Sequence, residues 1–399
     1  MHCLARMSPD HVGAMTDAVG AGGVLLVLAT THLVYTYVVY PWIVSLLPAR
    51  PPRRGDGSAP RLVSIVIAAR DPGRAIAEKV AGLLRTVTID CEIVAVLDGP
   101  DPAAVAALAE QSDDRIAVRV LERTQGKAAA LNCAVAMARG DVLVFTDVRQ
   151  RVAPGAVEWL VAELASPDVG AVSGALVISS AGGSDGLYER YWRFERRLRM
   201  REAAWDSAVG VSGALYALKR ELWTPLPLGL LLDDVWVPFQ VVRAGQRVGF
   251  APLAVATDVG WGSDAMELAR KVRTLTGNYQ LMAWMPWLLH PGKNRLWWQF
   301  LSHKVLRLLT PLAVGCLVAG GLLVFGAWVG VMGAAGLALA WMVRPARAAG
   351  LPGVGLLRTA WSGLALLAAL VLAAFNAARG RWDVWSDPAQ RTFADPEQP

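Results

Sequence analysis

The sequence predicts a membrane-anchored α/β protein, and two observations support this prediction. Apolar runs without charged residues lie near both ends of the 399-residue chain, and the polar block between them alternates strand-like with helix-like segments. With 54% hydrophobic residues, the chain is too apolar for an ordinary cytosolic protein. The alternation predicts a Rossmann-like, mostly parallel sheet with helices on both faces.

The apolar runs predict about four transmembrane helices, one N-terminal and three C-terminal. No Asp, Glu, Lys or Arg lies between Asp17 and Arg50, and a crossing helix requires roughly 20 apolar residues. The uncharged run from Leu308 to Val343 is long enough for two spans joined near 326–333. A third run, 359–378, is long enough for one more span.

Basic residues predict the orientation of these spans. Arg50, Arg53 and Arg54 follow the first run, and Arg6 is the one Lys or Arg before it. The positive-inside bias therefore predicts a multi-pass protein of the inner (plasma) membrane with its central block in the cytosol. Anionic lipid accounts for the net charge of +6, so no nucleic-acid partner is predicted.

These patterns divide the chain into six segments. They are a disordered segment at 1–19, a transmembrane helix at 20–47, an α/β domain at 60–278, a tryptophan-rich segment at 279–304, three transmembrane helices at 305–378 and a polar tail at 379–399. The density of tryptophan between Trp284 and Trp298 favours a membrane interface. A buried helix of the soluble block is the alternative.

Nine segments of the α/β domain alternate in pattern. Runs of β-branched apolar residues mark strands, and apolar residues at helical spacing mark helices. The predicted strands are 62–68, 92–97, 116–121, 142–146 and 169–177. The predicted helices are 72–85, 102–109, 126–139 and 154–164.

Asp98 and Asp147 each follow a predicted strand directly. Ligands of open parallel sheets bind outside the carboxyl ends of the strands, so both carboxylates are expected at one crevice. A turn aspartate that bonds its own backbone is the alternative, and it is weaker for Asp147 because no Gly or Pro follows it. Gly126 and Lys127 open the third helix, and a helix N-terminus of this kind favours diphosphate. A solvated lysine side chain is the alternative for Lys127.

A second pair of acids, Asp233 and Asp234, lies among apolar neighbours in the sequence. An idle charge in such surroundings costs several kcal/mol, so the pair indicates proton transfer or cation binding. A helix N-cap is the alternative for Asp233. The basic aromatic segment Tyr188–Arg201 has helical spacing and either lines an acceptor path or forms a charged amphipathic helix.

Between about residues 60 and 310 these motifs, in this order, resemble the membrane glycosyltransferases of family 2, the group of the cellulose, chitin and hyaluronan synthases. The resemblance implies a GT-A-type fold that binds a nucleotide sugar on the cytosolic face, an inverting mechanism and a divalent cation. Ser64–Asp71 resembles the strand whose end holds the uridine. Gly126–Asn132 is similar to the Gly-Lys helix start of the family.

The remaining motifs of the family have counterparts in the same order. Asp147–Arg149 occupies the place of the Asp-x-Asp metal motif, and Ser212–Ala214 resembles the acceptor-side turn. Leu232–Asp234 resembles the Thr-Glu-Asp motif, whose last acid is the general base. Arg270–Thr274 occupies the place of the Gln-x-x-Arg-Trp motif, with Arg273 on its Arg.

By this resemblance each predicted site residue receives a role. Asp234 is implied as the catalytic base, and Asp147 as the ligand of Mg²⁺ or Mn²⁺. Support of the acceptor and the active site is implied for Asp233, Ser212, Gly213, Arg270 and Arg273. Contact with the nucleotide sugar is implied for Ala69, Asp71, Asp98, Lys127, Asp147 and Arg149.

Two departures from the family pattern leave alternatives open. Arg149 replaces the second acid of Asp-x-Asp, so either the cation has fewer protein ligands or Arg149 itself neutralises the diphosphate. Arg270 and Thr274 replace the Gln and Trp of the motif that grips the polymer in the family. The sequence therefore favours single transfer over processive synthesis.

The predicted function is a membrane-bound inverting glycosyltransferase that moves a hexose or N-acetylhexosamine from a UDP-sugar to a saccharide in cell-envelope or exopolysaccharide synthesis. Single-sugar transfer to polyprenyl phosphate or another lipid is the alternative within catalysis. A catalytically inactive membrane scaffold of a polysaccharide secretion complex is the alternative of another class. The expected partners are the donor, a saccharide or lipid-linked acceptor, membrane lipid and envelope polysaccharide subunits.

Overall fold

A computed structural model describes residues 9–50, 60–179, 187–259, 264–326, 328–329, 333, 336 and 355–383. The chain divides into two compact units. One unit consists of Val44–Phe300 with Asn376–Pro399, and the other of Met1–Ile43 with Leu301–Phe375.

The first unit contains an eight-stranded sheet. Its strands are β1 (Val63–Ala69), β2 (Cys91–Leu97), β3 (Ile116–Val120), β4 (Val142–Thr146), β5 (Arg151–Val152), β6 (Val169–Ser179), β7 (Leu215–Lys219) and β8 (Arg247–Val259). They lie in the order β3-β2-β1-β4-β7-β6-β8-β5. The described helices that flank it are α3 (Ala75–Thr86), α4 (Pro102–Ala109), α5 (Lys127–Met137), α6 (Ala156–Leu164), α7 (Leu187–Trp205), α8 (Asp233–Arg243) and α9 (Asp264–Trp284).

The first half of this sheet agrees with the alternation seen in the sequence. β1 pairs in parallel with β2 and with β4, and β2 pairs in parallel with β3. β1 and β2 are buried along nearly their whole length, which explains why they are continuous apolar runs. After β1 the chain adds β2 and β3 on one side and then β4 on the other side. The carboxyl ends of β1 and β4 therefore border a crevice.

The second half of the sheet departs from the predicted mostly parallel arrangement. β7 pairs antiparallel with both β4 and β6, and β5 pairs antiparallel with β8, so the sheet is mixed. The predicted turn at Ser212–Ala214 leads directly into β7 at Leu215, a strand that the sequence did not predict. A five-residue strand that is almost fully buried lacks the apolar-polar alternation by which half-buried strands are recognised.

The second unit is helical. It contains α1 (Pro9–Val34), a π-helical turn (Tyr35–Val39), the start of α2 (Tyr40–Leu46), α11 (Leu306–Leu308), α12 (Thr310–Phe325) and most of α13 (Gly355–Ala378). α1 and α12 cross closely at Gly22 and Gly320, where a Cβ on Gly320 would lie 2.7 Å from the carbonyl oxygen of Gly22. Small residues at such crossings are typical of membrane helix pairs.

Of the four predicted spans, the described residues contain one continuous candidate. The segment Asp17–Leu46 is 30 residues long and apolar enough to cross a membrane. The pair Trp297–Leu308 and Thr310–Phe325 qualifies as a second candidate only when it is counted as one span, and it is bent by 55°. The next predicted span falls largely outside the described residues, and the apolar part of α13, Gly363–Ala378, is shorter than a span.

The tryptophan-rich segment contains a 3-10 turn (Pro286–Leu289) and the short α10 (Trp297–Phe300). Trp287 packs edge-on against Phe239 of α8, with ring centroids 6.1 Å apart, and Trp298 packs edge-on against Trp205 of α7 at 5.7 Å. These two tryptophans therefore also contribute to the packing of the α/β unit.

Candidate functional site

The candidate site lies where β4, α5 and α8 present charged residues to one another. Asp147 directly follows β4, Lys127 is the first residue of α5, and Asp233 is the first residue of α8. Gly126, which precedes Lys127, has a φ of +95°, a backbone conformation that residues other than glycine rarely adopt. This conformation allows the chain to turn sharply into the helix. Both helix N-termini thus begin at the site and favour negative charge there.

Lys127 holds the two acids together. Its Nζ lies 3.3 Å from Oδ1 of Asp147 and 3.3 Å from Oδ2 of Asp233, with the lysine side chain 25% exposed. Burial alone would lower the pKa of Lys127, but Asp147, Asp233 and Asp234 together raise it above its ordinary value. The ammonium therefore stays charged at neutral pH, and three residues distant in sequence form one ion cluster.

Asp234, the predicted base, lies beside this cluster. It is half-buried in the first turn of α8, and a Cβ on Gly213 would lie 3.8 Å from its Oδ2. Burial lowers the pKa of Arg273 on α9, and the carboxylate of Asp234 opposes that shift. Asp234, Gly213 and Arg273 are therefore neighbours, as the sequence motifs require.

Asp233 does not act as the helix N-cap that was its alternative reading. Leu232 occupies the N-cap position, and the Asp233 carboxylate pairs with Lys127 instead. The loop before α8 is held by Gln280 of α9, which accepts a hydrogen bond from Leu231 N at 2.9 Å and donates one to Gly229 O at 3.0 Å. The loop that leads to Asp233 and Asp234 is therefore held in place by Gln280.

Asp98 is buried and serves the loop that leads into α5. Its carboxylate accepts hydrogen bonds from the backbone N–H of Gln125 at 2.6 Å and of Gly126 at 3.0 Å. The partner is thus a loop 27 residues away, not the backbone of its own turn. By this contact Asp98 positions Lys127, and direct contact with the nucleotide stays a prediction.

The two remaining nucleotide-side residues lie after β1. Ala69 ends the strand, and its carbonyl oxygen accepts a hydrogen bond from Asp98 N at 2.7 Å. Asp71 is exposed and has a φ of +45°, which an aspartate adopts more readily than most residues. Their contacts with a nucleotide stay predictions.

Arg149 turns away from the ion cluster. Its guanidinium pairs with the buried carboxylate of Asp258 on β8, which also accepts a hydrogen bond from Gln150 Nε2 at 3.0 Å. The positive charge of Arg149 is therefore compensated by Asp258. The sequence analysis did not identify Asp258, because no motif or spacing distinguishes it.

Ser212 borders a second cleft next to the ion cluster. The cleft is open to solvent and is lined by Ser212, by Trp192 and Arg196 of α7, and by Phe250 of β8. The guanidinium carbon of Arg270 lies 5.8 Å from the centre of the Trp192 ring, a cation–π distance. The basic aromatic segment therefore faces the domain next to the predicted acceptor turn.

Two further residues at the site were missed by the sequence analysis. Lys79 of α3 is buried and donates hydrogen bonds to Thr146 Oγ1 at 2.9 Å and to Gln150 O at 2.5 Å, on either side of Asp147. Tyr216 of β7 is fully buried and lines a cavity of about 200 Å³ together with Lys127, Asp147 and Asp233. A lysine in a helix and a tyrosine in an apolar run give no distinctive sequence signal.

The arrangement also limits how a metal would be held. Among the residues that the structure describes, no group of three or more His, Cys, Asp or Glu side chains is arranged to hold a metal ion. Asp147 and Asp233 nevertheless converge on a single positive charge, that of Lys127. Two carboxylates together with substrate phosphates are a common Mg²⁺ ligand set.

Comparison with known proteins agrees with this geometry. The family model described as glycosyl transferase family 2 matches residues 64–222, which include β1, Asp98, Lys127, Asp147 and β7. A search of curated proteins gave no match.

Among solved structures, the mannosyltransferase PcManGT from Pyrobaculum calidifontis in complex with GDP-Man and Mn²⁺ has a TM-score of 0.70. It is 22% identical and covers 90% of this chain and 99% of its own, so the similarity shows a shared fold. GalNAc-T7 with UDP, GalNAc and Mn²⁺ has a TM-score of 0.40 at 17% identity over 51% of this chain and 44% of its own, and no argument rests on it. The segment that contains Lys127 and Asp147 is therefore similar to glycosyl transferase family 2.

Proposed function

We propose that the chain is a membrane-bound inverting glycosyltransferase that uses a nucleoside diphosphate sugar as donor. The observation that carries the proposal is the ion cluster, in which Lys127 bridges Asp147 and Asp233 at the start of two helices. An ammonium beside helix N-termini is suited to a diphosphate. The adjacent carboxylate of Asp234 is suited to receive a proton.

The proposed reaction is attack by an acceptor hydroxyl on C1 of the donor sugar, from the face opposite the diphosphate. Asp234 removes the hydroxyl proton, a role that contributes about 10²- to 10⁴-fold in rate. Lys127 and Arg273 stabilise the negative charge that grows on the leaving diphosphate. Electrostatic support of this kind is strong in a site from which water is largely excluded.

A divalent cation forms part of the proposal. Asp147 would hold it, with Asp233 as the second carboxylate, because both already face one positive charge. When bound, Mg²⁺ or Mn²⁺ supplies further positive charge for the diphosphate. Arg149 is excluded as a ligand because a guanidinium has no lone pair to donate.

The donor is a UDP-sugar or GDP-mannose. The family resemblance favours UDP, whereas PcManGT, similar in fold, is bound to GDP-Man. The fold does not decide between these bases. Release of nucleoside diphosphate by the purified protein across a panel of UDP- and GDP-sugars separates the two.

The acceptor is proposed to lie along the cleft of Ser212, Trp192 and Arg196, next to Asp234. An indole face stacks on sugar rings, so a saccharide is the first candidate. The guanidinium of Arg196 favours an acceptor with a phosphate, which supports single transfer to polyprenyl phosphate as the second candidate. Product length on a sizing gel distinguishes a polymer from a single addition.

The proposed location is the inner membrane, with the α/β domain in the cytosol. Support comes from Asp17–Leu46, whose apolar side chains are largely exposed, as in Val27 at 65% and Leu28 at 61%. Membership of an envelope or exopolysaccharide complex is proposed from the family resemblance. Cysteine accessibility on either side of intact membranes tests the orientation.

Asp234→Asn tests the proposed base. The variant keeps the size of the side chain and removes its proton affinity, so sugar transfer should fall at least about 100-fold. Asp113→Asn, an exposed acid before β3 that pairs with Arg115, is the matched control and should retain full activity. Donor binding, followed by tryptophan fluorescence, should persist in both variants.

Retained turnover by Asp234→Asn would remove Asp234 as the base. If the wild-type protein binds no UDP- or GDP-sugar, the non-catalytic scaffold becomes the better reading. For the cation, Asp147→Ala should abolish transfer or raise the Mg²⁺ or Mn²⁺ concentration needed for half-activation. An unchanged metal titration contradicts the role of Asp147.

A further inference from the structure

Tyr216 places a hydroxyl group inside the ion cluster without a hydrogen-bond partner. Its side chain has no solvent exposure, and Oη has no hydrogen bond within the described part of the chain. The cavity that it lines is also lined by Lys127, Asp147 and Asp233. A buried unsatisfied donor is costly and rare, so the hydroxyl needs an explanation.

The ring of Tyr216 is fixed in place. It stacks on Phe145 of β4 with ring centroids 4.6 Å apart and an interplanar angle of 14°, and Phe145 also stacks on Trp223 at 5.3 Å. β4 and β7 are paired at this position, which holds both rings from the backbone. The hydroxyl therefore cannot swing to a distant partner, and a partner must come to it.

The phenol of Tyr216 is neutral, so its hydroxyl can donate a hydrogen bond to one of the carboxylates around it. Burial raises the pKa of Tyr216 well above its ordinary value, and the carboxylates of Asp233, Asp234 and Asp147 raise it further. Asp233 exerts the largest effect among these acids. Lys127 pairs with Oδ2 of Asp233 at 3.3 Å, and the carboxylate retains capacity to accept a further hydrogen bond.

We propose that Tyr216 is a positioning residue whose hydroxyl donates a hydrogen bond to the carboxylate of Asp233, directly or through one water, when Lys127 turns to the diphosphate of the donor. Without a replacement hydrogen bond, Asp233 would lose the contact with Lys127 that orients its carboxylate. Tyr216 thereby keeps Asp233 oriented during the reaction. The inference rests on the proposed function, because it requires a diphosphate to engage Lys127.

Tyr216→Phe tests the proposal because it removes the hydroxyl alone. We expect kcat to fall about 10- to 100-fold, with the KM of the donor changed less than about threefold. The melting temperature should stay equal or rise, because a buried hydroxyl without a partner disappears.

Tyr279→Phe on α9 is the matched control, a partly buried tyrosine outside the ion cluster, and should keep the kcat and the KM of the wild type. Unchanged kcat in Tyr216→Phe would overturn the proposal and leave a buried water as the partner of Oη. A lower melting temperature together with a donor KM that rises as much as kcat falls would overturn it in favour of a structural role. If the wild-type protein itself transfers no sugar, the proposed function fails. That outcome differs from both results above, which concern the Tyr216→Phe variant of an active protein.

Discussion

Lys79→Met is predicted to loosen the loop that carries Asp147. The ammonium of Lys79 bonds Thr146 and Gln150, and Thr146 Oγ1 donates in turn to Ala214 O at 2.8 Å. One buried charge therefore connects α3, the Asp147 loop and the acceptor-side turn. A misplacement of about 1 Å at a catalytic group can cost about 100-fold, so transfer should fall about 10- to 100-fold.

The pH dependence of stability gives a second and independent readout. Burial lowers the pKa of Lys79 from its ordinary 10.5 to about 8, with Asp147 opposing the shift. Below about pH 8 the lysine is charged in both the folded and the unfolded chain, and the full cost of burying the charge is present. Between about pH 8 and 10.5 the unfolded chain binds more protons, so the free energy of unfolding rises with pH.

The size of that rise follows from the difference between the two pKa values and is about 3 kcal/mol. Lys79→Met should lack this contribution, so the stability curves of wild type and variant should diverge by about 3 kcal/mol over the window. Denaturant unfolding in detergent and EDTA, from pH 7.5 to 10.5, measures it. EDTA keeps a bound cation from altering the charge near Asp147.

Lys219→Met is the matched control. Lys219 is a partly buried lysine on β7 that donates to Ser166 O at 3.1 Å, away from the ion cluster. It should keep transfer activity and most of the pH-dependent rise. Parallel stability curves for Lys79→Met and wild type, together with full activity, would refute the reasoning.

Two other substitutions test how the site is held. Gly277→Ala places a Cβ 2.5 Å from Leu232 Cγ, so it should cost about 1–3 kcal/mol of stability and lower transfer by shifting Asp233 and Asp234. Gly82→Ala on α3 is the control: its Cβ meets nothing within 4 Å, so it should stabilise the protein by up to about 1 kcal/mol. Equal activities and melting temperatures in the two variants would contradict this. Asp98→Ala leaves two backbone N–H groups without their acceptor, so we expect a loss of about 2–3 kcal/mol and a raised KM for the donor; an unchanged KM would contradict the positioning role.

The sequence predicted the first half of the α/β domain closely. Helix α4 and strand β4 have the predicted bounds, because a Pro at the first turn of the helix and a short apolar run rich in β-branched residues mark them clearly. Asp147 and Lys127 lie together as expected, because the carboxyl ends of parallel strands and the helix starts that follow them share one edge. Local pattern and topology agree in this region.

The second half could not be derived in the same way. Whether β7 runs parallel or antiparallel depends on pairing across the sheet, which leaves no mark in five buried residues. The roles of Lys79 and Asp258 arise from neighbours 67 or more positions away, as in the contact of Lys79 with Thr146, and the role of Tyr216 arises from a cavity built by three other elements. Such residues are recognised only when burial and partners are known, because their types are common in helices and strands.

The Arg149–Asp258 pair also constrains which substitutions these two positions accept. Arg149→Asp alone would create an Asp-x-Asp sequence but would leave two carboxylates facing each other, one of them buried at 4% exposure. Asp258→Asn alone would remove the carboxylate that pairs with the guanidinium. Because the two side chains are in contact, the effects of the two substitutions should not add, so Arg149 and Asp258 should vary together.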